Sequence, residues 1–251
     1  MNERSMLASI CPYPAVELSV ILPALRPDSD YLRCIYSLRA ALAGTMPFEI
    51  ISVVREVEAF SELASSDLRI VPERGTGIYA AMNTGLDYAN GIYVYFIGQD
   101  DIFLPEAVNA LNFGFRLNAD VILGDVFWGK CKIFRNSRSP HSLVWKNWCH
   151  QGIIYRREIF DKCGLRFPED FKVQADHYVN IVLATRRDLT IVKYDTCIAW
   201  YSSGGFSTTN RDSTFRTRFP SIVRENFGLL SFFVVVLRRA LLRATMKVFR
   251  R

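Results

Sequence analysis

The chain lacks any pairing of cysteines: its six, Cys11, Cys34, Cys131, Cys149, Cys163 and Cys197, lie far apart, without the short spacings that hold zinc or form a redox pair. A disulfide-built fold is disfavoured, and a reduced, cytosolic setting fits. No long apolar stretch precedes Pro12 and Pro14, which argues against a secretory leader. The longest apolar run, residues 229–237 with Ser231 as its one break, stops at Arg238-Arg239; a membrane-spanning helix needs ~20 such residues. A Gly-rich phosphate loop followed by lysine is missing near the first expected strand. The sequence shows no internal repeat and no low-complexity tract.

What is present is a large hydrophobic fraction, half of 251 residues, enough for a sizeable core in one large or two small domains. The formal charge is +6, from 31 basic and 25 acidic side chains. Its location says more than its size: Arg238, Arg239, Arg243, Lys247, Arg250 and Arg251 stand in residues 229–251 with no acid among them. These six cations equal the whole excess, so the basic character belongs to the tail.

Residues 18–22 are predicted as a strand ended by Pro23. Asp28 or Ser29 then caps a helix through about Ala43, with Leu32, Ile35, Leu38 and Leu42 facing inward and Gly44 as its stop. Strands follow at 48–54 and 68–71. Gly77 opens a helix with Ile78, Ala81, Met82, Gly85, Leu86 and Ala89 in one stripe, and a strand spans 92–97. Apolar strands alternating with amphipathic helices predict an α/β fold whose mostly parallel sheet is flanked by helices. Beyond a helix at 105–118 the order changes. Residues 120–128 and 130–134 read as strands around Gly129, and 135–148 as a polar, basic loop. A strand at 151–155, a short helix ending at Gly164, a helix at 176–186 and a strand at 189–194 complete the pattern.

Tyr93, Val94, Tyr95, Phe96 and Ile97 run through Gly98-Gln99 into two adjacent carboxylates, Asp100 and Asp101. Neighbouring anions are costly unless a cation or solvent compensates them. At the carboxyl end of a strand in an α/β sheet, a divalent metal carrying a phosphorylated substrate is the natural compensator. That points to an enzyme acting on a nucleotide or nucleotide-sugar. The same pair also reads as a turn capping the next helix, with Pro105 at a first helical position.

The ordered series Glu73-Arg74-Gly75-Thr76-Gly77-Ile78-Tyr79-Ala80-Ala81-Met82-Asn83-Thr84-Gly85, Ala89-Asn90-Gly91 and Asp100-Asp101 resembles the central block of family-2 inverting glycosyltransferases. The likeness is greatest to the bacterial branch that builds exopolysaccharides and lipopolysaccharide O-chains. It continues through Gly124-Asp125, His150-Gln151, residues 153–156, Asp176 and Gly204-Gly205-Phe206-Ser207, covering roughly residues 17–207. The resemblance implies a GT-A fold with a nucleotide-sugar-binding half at 17–104 and a smaller acceptor half at 105–220. An extension, 1–16, precedes it and an amphipathic basic segment, 221–251, follows.

The resemblance also implies Mn²⁺ or Mg²⁺ held by Asp100 and Asp101 against the donor diphosphate, and Asp176 as the base that deprotonates the acceptor hydroxyl. Pro23, Glu73, Gly77, Asn83, Asp125, His150 and Gln151 fall at substrate-binding positions. Asp176 also fits an N-terminal helix charge, Asp125 a turn residue and His150 a structural histidine. The chain departs from the family where an acidic contact to the nucleotide base is usual: Val54 stands there, followed by Arg55-Glu56. Ala24-Leu25-Arg26 replaces a small polar trio, and Ala80 an acidic residue.

The implied partners are a nucleotide-sugar donor and a glycan or lipid-linked saccharide acceptor. Lys130, Lys132, Arg135, Arg138 and Lys146 among Trp128, Trp145 and Trp148 have the composition of a single-stranded nucleic acid site, but sugars with a lipid diphosphate explain them as well, as does a plain solvated loop, and no nucleic acid partner is expected. The segment from Ser221 joins an apolar run to the six cations, with Glu225 its only acid. That composition fits an interfacial helix on an anionic membrane surface, placing the protein in the cytoplasm, peripherally on the inner face of the cell membrane. The rival readings are a nucleotidyltransferase and a catalytically inactive scaffold protein of a polysaccharide assembly complex.

Overall fold

The computed structural model describes residues 16–202 and 212–248. The N-terminal extension up to residue 15, the Gly204-Gly205-Phe206-Ser207 motif, Arg250 and Arg251 lie outside the described residues.

Strand β1 (Leu18–Ala24) is buried along its whole length, as a central strand covered on both faces must be. Helix α1 (Ser29–Leu42) starts where Asp28 Oδ1 accepts from the backbone N–H groups of Asp30 and Tyr31, each at 3.1 Å, a side-chain N-cap. Strand β2 (Phe48–Val54), the short helix α2 (Val57–Phe60), strand β3 (Leu68–Pro72), helix α3 (Ile78–Tyr88) and strand β4 (Tyr93–Phe96) follow. Helix α1 buries Tyr31, Cys34, Ile35, Leu38, Ala41 and Leu42, while Leu32 is 48% exposed, against the expected inward face. Tyr31 takes that place because its ring packs edge-on against Phe60 and its hydroxyl bonds Ser52. On α3, Ile78 likewise turns outward.

The second half comprises β5 (Ile102–Phe103), α4 (Glu106–Arg116), β6 (Val121–Trp128), β7 (Lys132–Phe134), β8 (Ile153–Arg156), α5 (Glu158–Lys162), α6 (Ala175–Thr185), β9 (Ile191–Tyr201) and α7 (Ser213–Val248). One sheet runs β3-β2-β1-β4-β8-β6-β9-β5, with β7 paired to β6. The first four strands are parallel. Beyond β4 the sheet is mixed, because β8 is antiparallel to both β4 and β6 whereas β9 is parallel to β6. Two cores cover its faces. On β1, Ile21 joins the core under α3, α6 and α7, while Val20 and Leu22 join the one under α1 and α4, the two-residue alternation of a strand.

Helix α7 has the length and apolarity to cross a membrane over Ser213–Leu242, with mean hydropathy 1.4. It is not straight. Gly228 has φ 81° and ψ −179°, a conformation reserved for glycine, and the chain folds back there. Arg239 Nη1 donates to the Arg216 carbonyl at 2.8 Å and its guanidinium lies 5.5 Å from the Phe219 ring centroid. A straight helix would put those residues roughly 34 Å apart. The segment is therefore a helical hairpin, its first leg packed on α6 and its second returning over the first.

Candidate active site

The sheet positions one cluster where parallel β4 meets antiparallel β8. The chain leaves β4 through Gly98 and Gln99, whose side chain accepts from Leu25 N at 2.6 Å and ties the end of β1 to this turn. A Cβ on Gly98 would stand 3.0 Å from both Asp100 Oδ1 and Asp101 Oδ2, so glycine is what lets the two carboxylates converge over the backbone. Asp101 is 1% exposed. Its Oδ2 accepts from Gln151 Nε2 at 2.9 Å and its Oδ1 from Ser202 N at 3.0 Å. Burial, and then the neighbouring charge of Asp100, push it up to about 7. Asp100 is half-buried and also raised, by burial first and by Asp30 and Asp28 among its neighbours.

Among the described residues no group of three or more His, Cys, Asp or Glu side chains is arranged to hold a metal ion. The two converging carboxylates fit a different type of site, in which one or two protein oxygens share Mg²⁺ or a similar hard cation with substrate phosphates. Asp100, half-buried where Asp101 is buried, is the more accessible of the two oxygen sources.

Asp176 opens α6 and is half-buried. Tyr79, from α3, places its hydroxyl 3.0 Å from Asp176 Oδ1 and also on the Val173 carbonyl. Asn147 Nδ2 donates to Oδ2 at 2.6 Å. Burial raises this carboxyl to about 6, with the Tyr79 and Asn147 hydrogen bonds opposing the rise. The two acidic centres are joined by one short segment: Asn147 holds Asp176 and Gln151 holds Asp101. The charges of Asp101 and Asp176 both bear on Cys149, which lies between Asn147 and Gln151, so the two carboxylates flank one short segment. His150, between them, has neither ring nitrogen hydrogen-bonded although both are buried. Its ring packs beside Phe96, Phe167 and Tyr155, and burial lowers it to about 4.

Other expected substrate-binding residues have structural duties. Asp125 is buried with Lys193 Nζ at 2.7 Å, Arg135 at 3.5 Å and the Asn136 backbone N–H at 3.1 Å, so it ties β6 to β9 and to the 135–136 segment. Asn83 spends both ends of its amide on Phe167 and Glu169, locking α3 to the 167–169 loop. Pro23 is buried within β1 opposite Val53. Glu73 is paired with Arg55 at 2.9 Å, and Gly77, at φ 100°, is the turn into α3. The basic loop is packed: Trp148 is buried with its indole N–H on Ser137, Lys146 lies 3.5 Å from the Phe134 ring centroid and Arg238 5.1 Å from that of Trp145. Sequence reasoning missed Asn147 and Asn180, which carry no motif, and reached Tyr155 only as part of the 153–156 stretch, without a role. Tyr79 was visible as part of the Gly-Ile-Tyr element.

The arrangement is that of a GT-A fold. Solved structures of S. aureus TarS, residues 1–349, superpose with a TM-score of 0.67 when in complex with UDP-GlcNAc, over 88% of this chain and 67% of that one at 18% identity; the form without that ligand gives 0.64 over 66% of its length. The family model for glycosyl transferase family 2 matches residues 19–169, and the chain belongs to that family of glycosyltransferases. A PGL/p-HBAD biosynthesis glycosyltransferase of Mycobacterium tuberculosis H37Rv is 29% identical over 88% of this chain and 90% of its own. EpsJ of Bacillus subtilis, an uncharacterized glycosyltransferase, is 25% identical over 65% of this chain and 55% of its own.

Proposed function

We propose that this chain transfers a sugar, with inversion, from a nucleoside-diphosphate sugar to a hydroxyl of a glycan or lipid-linked saccharide in cell-surface polysaccharide biosynthesis. The observation that carries the reading is the segment 147–151, which joins a carboxylate pair suited to a diphosphate-bound cation to a separate, half-buried carboxylate raised to about 6. Asp100, with Asp101, would hold Mg²⁺ or Mn²⁺. When bound, that ion neutralises the charge developing on the leaving diphosphate. Gln151 and Ser202 N fix Asp101, and Asp176 takes the acceptor's proton on the opposite face of the sugar. A base near 6 is ionised at neutral pH yet still basic enough to accept that proton.

The second leg of α7 docks the protein on an anionic membrane surface. Leu229, Leu230, Phe233, Val234, Val236, Leu237 and Leu241 are all exposed. At 100° per residue they cover one arc, opposite the buried Val235 and the pinned Arg239. Residues 229–251 carry cations and no acid, and an anionic lipid surface supplies the opposite charge.

Calorimetry with nucleoside diphosphates tests the donor site. Asp100→Ala should abolish the Mn²⁺-dependent part of the affinity, because too few oxygen ligands remain; an unchanged Mn²⁺ dependence rules the pair out as the cation site.

A further inference from the structure

Asp176 stands at the end of a one-way chain of hydrogen bonds that begins deep in the core. The Tyr155 hydroxyl, on β8, donates to Asn180 Oδ1 at 2.9 Å. Asn180, one turn along α6 from Asp176, donates through Nδ2 to Asn147 Oδ1 at 2.9 Å, and Asn147 donates to Asp176 Oδ2 at 2.6 Å. Tyr155 and Asn180 are completely buried.

The direction is fixed by chemistry and not by choice of amide rotamer. An ionised carboxylate accepts only, so Asn147 must turn its NH₂ toward Asp176 and its oxygen toward Asn180. Asn180 must then present its own NH₂ to Asn147, which leaves its oxygen for the one remaining donor, the tyrosine hydroxyl. Reversing any member sets two acceptors or two donors against each other in a buried place, at the cost of a lost partner on each side.

The other oxygen of Asp176 meets a group that suits either protonation state. The Tyr79 hydroxyl has a single proton and two acceptors in reach, Asp176 Oδ1 and the Val173 carbonyl. With Asp176 ionised, the proton can serve the carboxylate. With Asp176 protonated, the Tyr79 proton turns to Val173 and the tyrosine oxygen accepts from the acid.

We propose that Tyr155, Asn180 and Asn147 form a positioning relay whose aligned donors hold Asp176 ionised and aimed in its buried setting, with Tyr79 as the partner that receives its protonated form. The proposal rests on the reading of Asp176 as the base. No cation contacts this carboxylate among the described side chains. Its titratable neighbours are neutral: Tyr79, Tyr155 and Cys149 are raised by burial, and His177, with its Nε2 on the Leu143 carbonyl, is lowered to about 4. Asp212, just before α7, is occupied by the backbone N–H groups of Val173 and Phe215. Neutral donors, not charges, therefore oppose the burial.

The test is the ¹³C titration of the Asp176 carboxyl in the full chain, read beside the pH profile of nucleotide-sugar turnover. The variants are Asn147→Ala, Asn180→Leu and Tyr155→Phe, none of which adds a charge. Losing a hydrogen bond to the ionised form raises a carboxyl's midpoint. The expected result is a graded rise, about one pH unit for Asn147→Ala and less for Asn180→Leu and then Tyr155→Phe. The acid limb of turnover should move by the same amount, so that turnover below the midpoint drops about tenfold per unit. A purely structural role would lower stability without moving either midpoint, and unmoved Asp176 midpoints in Asn180→Leu and Tyr155→Phe overturn the relay. Should Asn180→Leu fail to fold, Tyr155→Phe, which loses one oxygen, decides alone. A shifted carboxyl titration with an unmoved pH profile would leave the relay standing and remove Asp176 as the base.

Discussion

At the scale of the residue, Asp176 is held between two protonation states, with burial favouring the acid and Asn147 and Tyr79 favouring the anion. Its folded midpoint near 6 lies above the ordinary 3.8, so the folded chain binds more protons than the unfolded chain between those values. Stability from this group is therefore full below about pH 4 and lost progressively as pH rises to about 6. Asp176→Asn cannot ionise, and its amide can donate to the Tyr79 oxygen while that hydroxyl turns to Val173. Urea unfolding should show the variant gaining on the unmodified chain between pH 4 and 6 and keeping the lead at pH 8; a gap that does not vary with pH contradicts the raised midpoint. The position of Asp176 was legible only through an ordered set of motifs. Asn147 and Asn180 were not legible at all, and Tyr155 only as a member of the 153–156 stretch, because hydrogen bonds between three distant segments leave no local spacing.

At the scale of the element, the short strand and helix runs of the first half were readable because each carries its own signal: Asp28 as a cap, Gly77 as a turn, and continuous burial through β1. Elements of two to four residues, such as β5 and α2, have no period to read. Helix α7 shows a different failure. Its apolar run and its cations stand plainly in the sequence, but the fold-back at Gly228 depends on contacts between residues more than twenty positions apart. That hairpin gives the surface its test. Phe233→Ser combined with Leu237→Ser should weaken flotation with anionic phospholipid vesicles at least tenfold, since each exposed side chain would bury roughly 1.5–3 kcal/mol of apolar contact in the bilayer. Raising salt should weaken the binding of the unmodified chain without abolishing it, because only the charge attraction is screened. A chain that ignores such vesicles and instead dimerises through this face would overturn the membrane assignment.

At the scale of the whole molecule, the parallel half of the sheet follows from alternating local patterns, whereas the mixed half is set by which distant strand lies beside β6. Residues 189–194 read as a strand by themselves, yet β9 continues to Tyr201 because β6 and β5 pair with its later residues. The same long-range placement brings Asp101, from the parallel half, against Gln151 and Ser202 from the other half. The departures at Val54 and Ala24-Leu25-Arg26 leave this junction intact, which favours a working transferase over a scaffold.

In the proposed mechanism the two carboxylate centres form a single transfer site with Asp176 as its base. It is tested most directly by Mn²⁺-supported transfer from nucleotide-sugars to saccharide acceptors, comparing the full chain with Asp176→Asn and measuring nucleoside-diphosphate affinity on the same samples. Turnover should fall ~10²-fold or more, the usual weight of a positioned base, with affinity unchanged. Turnover within a few-fold of the unmodified chain would contradict it.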